Sequence, residues 1–211
     1  DDPGLYELMR TAVELAVQHE DVRLEYQASL SSQQEIEDRF ALAMGDMLMH
    51  IQLFSEEHAS INNLGGGNYE FSSLFEYLTD TVSGYDYCVA NLETTLAGTD
   101  NGYAYKGYPN FNCPDTIVDG AKEAGFDMLL NANNHSYDTS SVGAHRTISI
   151  ITDRGLDYTG FRDTEEEKPY LVKEINGINI GMICYTYETG NNSHGRKTLN
   201  GIALKQEAEG L

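Results

Sequence analysis

The sequence predicts an α/β protein with a largely parallel central sheet covered on both faces. Three observations lead there. Short apolar runs alternate with segments of helical spacing. The apolar runs are continuous, as in strands buried on both sides. Two helix-length segments stop at Gly125 and Gly155, just before the next apolar run. In such sheets ligands bind outside the carboxyl ends of the strands.

Residues 3–19 carry Leu5, Leu8, Met9, Ala12, Val13, Leu15 and Ala16 at helical spacing behind Pro3. Residues 20–38 are polar, and Ser32 with Glu35 fits a capping box for a short second helix. Residues 1–38 are therefore read as an acidic helical N-terminal extension, and 39–211 as the α/β domain. Phe40-Ala41-Leu42-Ala43-Met44 is a first buried strand running into Gly45-Asp46. Gly65-Gly66-Gly67 marks a flexible break, and Phe71, Leu74, Phe75 and Leu78 have helix spacing. Asp86 to Ala90 is a second strand, ending at Asn91-Leu92-Glu93. A Gly-, Asn- and Tyr-rich loop spans 98–114, where Tyr103, Tyr105, Tyr108 and Phe111 either wall a groove or pack the loop down. Thr116 to Ala124 is helical, Phe126 to Leu130 a third strand, Val142 to Arg154 helical, and Leu156 to Gly160 a short strand. Asn176-Gly177 joins Tyr170–Ile175 to Ile178–Tyr187 as a hairpin.

The chain has 13 basic and 34 acidic residues, a formal charge of −21. Such a surface disfavours nucleic acid and anionic membranes. No apolar run reaches the ~18 residues that span a bilayer. No signal peptide is visible from Asp1 onward, which leaves an export signal upstream open. Cys88, Cys113 and Cys184 lack metal-ligand spacing, and Cys88 and Cys184 lie in apolar runs as buried thiols.

Three strand ends carry chemistry. In Gly45-Asp46-Met47-Leu48-Met49-His50, the rigidly held Asp46 suits a cation, and His50 can turn back as a second ligand; equally, Asp46 can cap the next helix. Asn91 and Glu93, two apart in an extended segment, face the same side, where Glu93 can bridge two cations and Asn91 can meet substrate. In Asn133-Asn134-His135-Ser136-Tyr137-Asp138, the Asn134 amide oxygen is a ligand type for hard cations. His135 can donate a proton to a leaving group, and Asp138 can orient its imidazole or cap the following helix.

These segments, with Tyr108-Pro109-Asn110-Phe111-Asn112, Gly125-Phe126-Asp127 and the strand from Gly177 to Tyr187, resemble in order the bacterial CapA family of capsule and poly-γ-glutamate synthesis. The resemblance runs from about residue 40 to 190. It implies a calcineurin-like metallophosphatase fold, an α/β/β/α sandwich, of which this chain holds the N-terminal part. It implies one or two divalent metals (Mn, Mg, Zn or Fe) on Asp46, His50, Glu93 and Asn134, with His135 as general acid beside Asp138. It further implies an extracytoplasmic, surface-anchored protein working with an anionic envelope polymer or its synthase, through a metal-dependent hydrolase or transferase site. A non-catalytic phosphatase-like scaffold is the alternative. The sequence departs from the phosphatase pattern at Leu48, where a histidine is expected, and at Glu93, where an aspartate is expected. His194 does not supply the expected later His-rich motif.

Overall fold

The computed structural model describes residues 40–186 and 198–201. Two compact units divide the chain between Phe40 and Ala41; the helices expected within 1–38, and His194, lie outside the described residues. Every element below belongs to the second unit.

A four-stranded, all-parallel sheet forms the centre. Its strands are β1 (Leu42–Met47), β4 (Cys88–Leu92), β5 (Met128–Leu130) and β6 (Asp157–Thr159), in that spatial order. Between β1 and β4 lie a ribbon of β2 (Asn63–Gly65) and β3 (Asn68–Tyr69), then two single-turn helices, α1 (Ser72–Phe75) and α2 (Thr79–Val82). The crossovers β4 to β5 and β5 to β6 are α3 (Thr116–Ala124) and α4 (Ser140–Asp153). A hairpin of β7 (Leu171–Ile175) and β8 (Ile178–Met182) follows. The expected fold class is therefore observed: a parallel sheet flanked by helices.

Several local expectations change. The Gly65-Gly66-Gly67 break is a tight turn, with all three glycines at positive φ, closing the β2–β3 ribbon. The helix expected from Phe71 to Leu78 is two separate turns. At Asn176-Gly177 both residues have positive φ (51° and 79°), the geometry that a two-residue hairpin with right-twisted strands requires.

Both faces of the sheet are covered, by different elements. Cys88, Ala90, Leu92 and Leu129 join Ile117, Val118, Ala121 and Ile151 of α3 and α4 in the main core. Successive right-handed crossovers in one direction place their helices on one face. Two bidentate pairs bind α3 to α4 there: Arg146 holds Asp115 at 2.7 Å through both nitrogens, and Arg154 holds Asp119 at 2.7 and 3.1 Å. By register, Asp157 lies in the row of Met128 and Val89, on the opposite face. That face meets the hairpin, where Lys173 Nζ reaches Asp157 at 2.6 Å and Asn176 donates to Asp86 at 2.8 Å. Continuous apolar runs thus report a face under a hairpin as readily as one under helices.

Candidate functional site

The sheet delivers its polar residues at one edge, the carboxyl ends of β1, β4 and β5. In β1 the register shifts between Met44 and Asp46, around Gly45. Plain alternation would send Asp46 to the face of Met44; the shift sets it opposite Asn91 instead. Asn91 Nδ2 donates to Asp46 Oδ1 at 2.7 Å. Asp46 does not cap a helix, because the next helical turn, Ile51–Leu53, starts from His50.

Leu92 anchors the end of β4 in the core, and Glu93 follows it with its side chain 13% exposed. Burial pushes the Glu93 carboxyl up from its usual range; its hydrogen bond to Asp46 and the Asp46 charge push it further, against the pull of His135. Asn91 and Glu93 therefore both meet Asp46.

After β5 the chain turns through Asn131 to Asp138. His135 Nδ1 lies 2.7 Å from Asp138 Oδ2, the oxygen that also accepts the Phe111 N–H at 2.6 Å. The other imidazole nitrogen, Nε2, stands 3.9 Å from Glu93 Oε1. A carboxylate only accepts, so the Asp138 bond places a proton on Nδ1 and leaves Nε2 facing Glu93. Burial raises the Asp138 carboxyl, opposed by the Phe111 N–H and by His135. Asp138 orients the imidazole and does not cap α4, whose N-cap is Thr139.

Phe111 packs its ring against both imidazoles, 4.5 Å from His135 and 5.2 Å from His50, each edge-on. His50 consequently meets Phe111 rather than Asp46. Asn112, fully buried, fixes this loop by accepting from the Ala97 N–H and donating to the carbonyls of Gly98 and Ala104. Gly107 is required beside it: a Cβ there would sit 2.6 Å from the Ile51 nitrogen. Of the loop aromatics, Tyr108 is 77% exposed, whereas Tyr105 packs on Tyr69 and Phe54.

Of the expected site residues, the structure gathers Asp46, Asn91, Glu93, His135 and Asp138. Asn134 is exposed and joins none of these hydrogen bonds; its neighbour Asn133 is buried among them. Adjacent identical residues gave no signal for which side chain turns inward. Phe111 was read as a groove wall or a packing aromatic, and its contact with both imidazoles left no signal in the sequence.

A divalent metal needs three or more converging donors. Asp46 and Glu93 supply carboxylates, but Asp138 is committed to Phe111 and His135, and His50 to an aromatic contact. Among the described residues no three His, Cys, Asp or Glu side chains converge closely enough to hold a metal ion. As placed, this set does not fit the metal that the resemblance implies.

Comparison with known proteins bears on the same region. Residues 41–210 match the family model described as "Bacterial capsule synthesis protein PGA_cap". The chain is 28% identical over 148 residues to the capsule biosynthesis protein CapA of Bacillus anthracis, covering 68% of this chain and 33% of that protein. It is 23% identical over 132 residues to the PGA biosynthesis protein CapA of Bacillus subtilis (strain 168), covering 62% of this chain and 35% of that one. The chain spans about a third of the length of these curated relatives.

Proposed function

The chain belongs to the PGA_cap family of bacterial capsule synthesis proteins, within the metallophosphatase-like superfamily, and on that footing we propose that its strand-end cluster is a hydrolase or transferase site for an anionic envelope polymer. The bond acted on is of phosphoryl or γ-glutamyl type. The proposal places the full-length protein outside the cytoplasm, at the cell surface, beside the polymer or its synthase.

One observation carries the reading: His135 is held by Asp138 at 2.7 Å with its other nitrogen turned toward Glu93, 3.9 Å away. Asp138 keeps the Nδ1 proton in place and steadies the imidazolium. Nε2 of the imidazolium gives its proton to the leaving oxygen or nitrogen as that atom takes the electron pair of the breaking bond, while water or an acceptor hydroxyl or amine forms the new bond to phosphorus or the carbonyl carbon and releases its proton to solvent. Asn91, with one amide N–H committed to Asp46, retains its second for a substrate oxygen. No step here passes through a metal.

The test is turnover of a chromogenic phosphodiester and of a γ-glutamyl anilide by the full-length protein, with His135→Ala as control. The expected result is a loss of ~10²- to 10⁴-fold in kcat for the variant. Equal rates in the two proteins, or capsule output in cells unchanged by His135→Ala, would leave only the non-catalytic scaffold.

A further inference from the structure

Asn133 ties the loop after β5 to the end of β4. It is 8% exposed, and its amide is committed on both sides. Nδ2 donates to the Leu92 carbonyl at 2.9 Å and to Asn91 Oδ1 at 3.1 Å. Oδ1 accepts the His135 backbone N–H at 3.0 Å. Two of these partners are backbone groups whose roles cannot be exchanged: a carbonyl only accepts and an N–H only donates. They fix which end of the Asn133 amide is oxygen and which is nitrogen. Asn91 must then turn its oxygen to Asn133, which leaves its Nδ2 for Asp46 at 2.7 Å.

We infer that Asn133 is a positioning residue of this site, setting together the seat of His135 and the donor that Asp46 receives. The orientation starts at two backbone groups, passes through two amides and ends on the β1 carboxylate. The neighbouring Asn134, exposed and outside this chain of bonds, cannot do the same. The effect on rate rests on His135 being the proton donor proposed above; the effect on geometry does not.

Asn133→Asp in the full-length protein is the test. The change is nearly isosteric and keeps the acceptor for His135. It sets a carboxylate oxygen against the Leu92 carbonyl and Asn91 Oδ1, where nothing is left to donate. Three quantities are read: melting temperature, the steady-state constants, and the downfield proton signal of the His135 imidazole, assigned by its loss in His135→Gln. In the expected result the protein stays folded, the His135 signal is lost to solvent exchange, and kcat falls ~10²-fold, as for a reacting group displaced by about 1 Å. KM then stays within about twofold, as for loss of an interaction specific to the transition state. A folded variant that keeps the His135 signal overturns the inference, and so does an unchanged kcat. If Asn133→Asp does not fold, Asn133→Ser is read in the same way; failure of both assigns Asn133 to stability alone and also overturns it. If the wild type shows no turnover, the proposed function fails, while the imidazole signal still decides the geometric role.

Discussion

At the amino ends of the central strands, Asp157 accepts from the Tyr87 hydroxyl and from Lys173, both at 2.6 Å, and Asp127 accepts the Cys88 N–H at 2.8 Å. At the carboxyl ends of the same strands, Glu93 and Asp138 flank the His135 imidazole and Asp46 meets Glu93, with the exposed Lys106 acting on Asp138 as the further cation. Both clusters have similar acids on similar strands. At the amino ends, charge is matched by donors from the sheet and the hairpin, and burial with the Asp157 bond drives the Tyr87 hydroxyl far above its usual range. At the carboxyl ends, carboxylate faces carboxylate, and burial raises the Glu93 carboxyl before Asp46 adds to it. A partly desolvated acid cluster short of partners is costly to fold and is typical of functional sites. The difference matches the proposed site, with paired, structural acids at one end of the sheet and facing carboxylates at the other.

The largest expected effect breaks the chemical end. Asp138→Asn seats its amide oxygen where Oδ2 accepts both the Phe111 N–H and His135 Nδ1, but it removes the negative charge that steadies the imidazolium. Turnover should fall ~10²- to 10⁴-fold, as when a triad-like carboxylate is lost. The melting temperature should move little, since the loop keeps its acceptor. Steady-state rates and a melting curve check this, and full activity would remove Asp138 from the site. The next effect breaks the structural end. Asp157→Ala strands the buried Tyr87 hydroxyl and the Lys173 ammonium. Urea unfolding should show a loss of ~1 to 3 kcal/mol, the cost of an unsatisfied buried polar group. The rate per folded molecule should not change. A slower but equally stable variant would mean that the two ends are not separate in role.

The sequence made some of this legible and hid the rest for identifiable reasons. Thr116–Ala124 was readable to the residue because helical spacing and the Gly125 stop agree; Gly125 takes φ 104°, which favours glycine. The Asn176-Gly177 hairpin was readable because its turn chemistry is local. The β1 bulge at Gly45 was not, since a register shift is settled by the partner strand. Which face of the sheet carries helices is set by the direction of successive crossovers, and composition does not encode it. Asp46, Glu93, His135 and Asp138 stood out because each follows an apolar run. His50 follows one as well, yet Phe111, more than fifty residues along, decides where its ring lies. Nonlocal contacts of this kind leave no periodic trace.

The smallest expected effect sharpens the comparison at its one imperfect point. Asp127 lies at the structural end, yet burial raises its carboxyl, with Asp157 adding to the rise while the Cys88 N–H and Lys173 oppose it. An acid with a raised folded pKa stabilises the fold below its unfolded value, about 3.9 for aspartate, and loses that contribution as pH climbs through the raised folded value. Asp127→Asn keeps an oxygen for the Cys88 N–H and never ionises. The variant should melt with the wild type near pH 4 and above it at pH 7, the gap opening across the interval between the two pKa values. Melting curves at several pH values in one buffer series measure that gap. A gap of the opposite sign would mean that the ionised Asp127 is as well matched as Asp157, and that the contrast between the two ends of the sheet is complete.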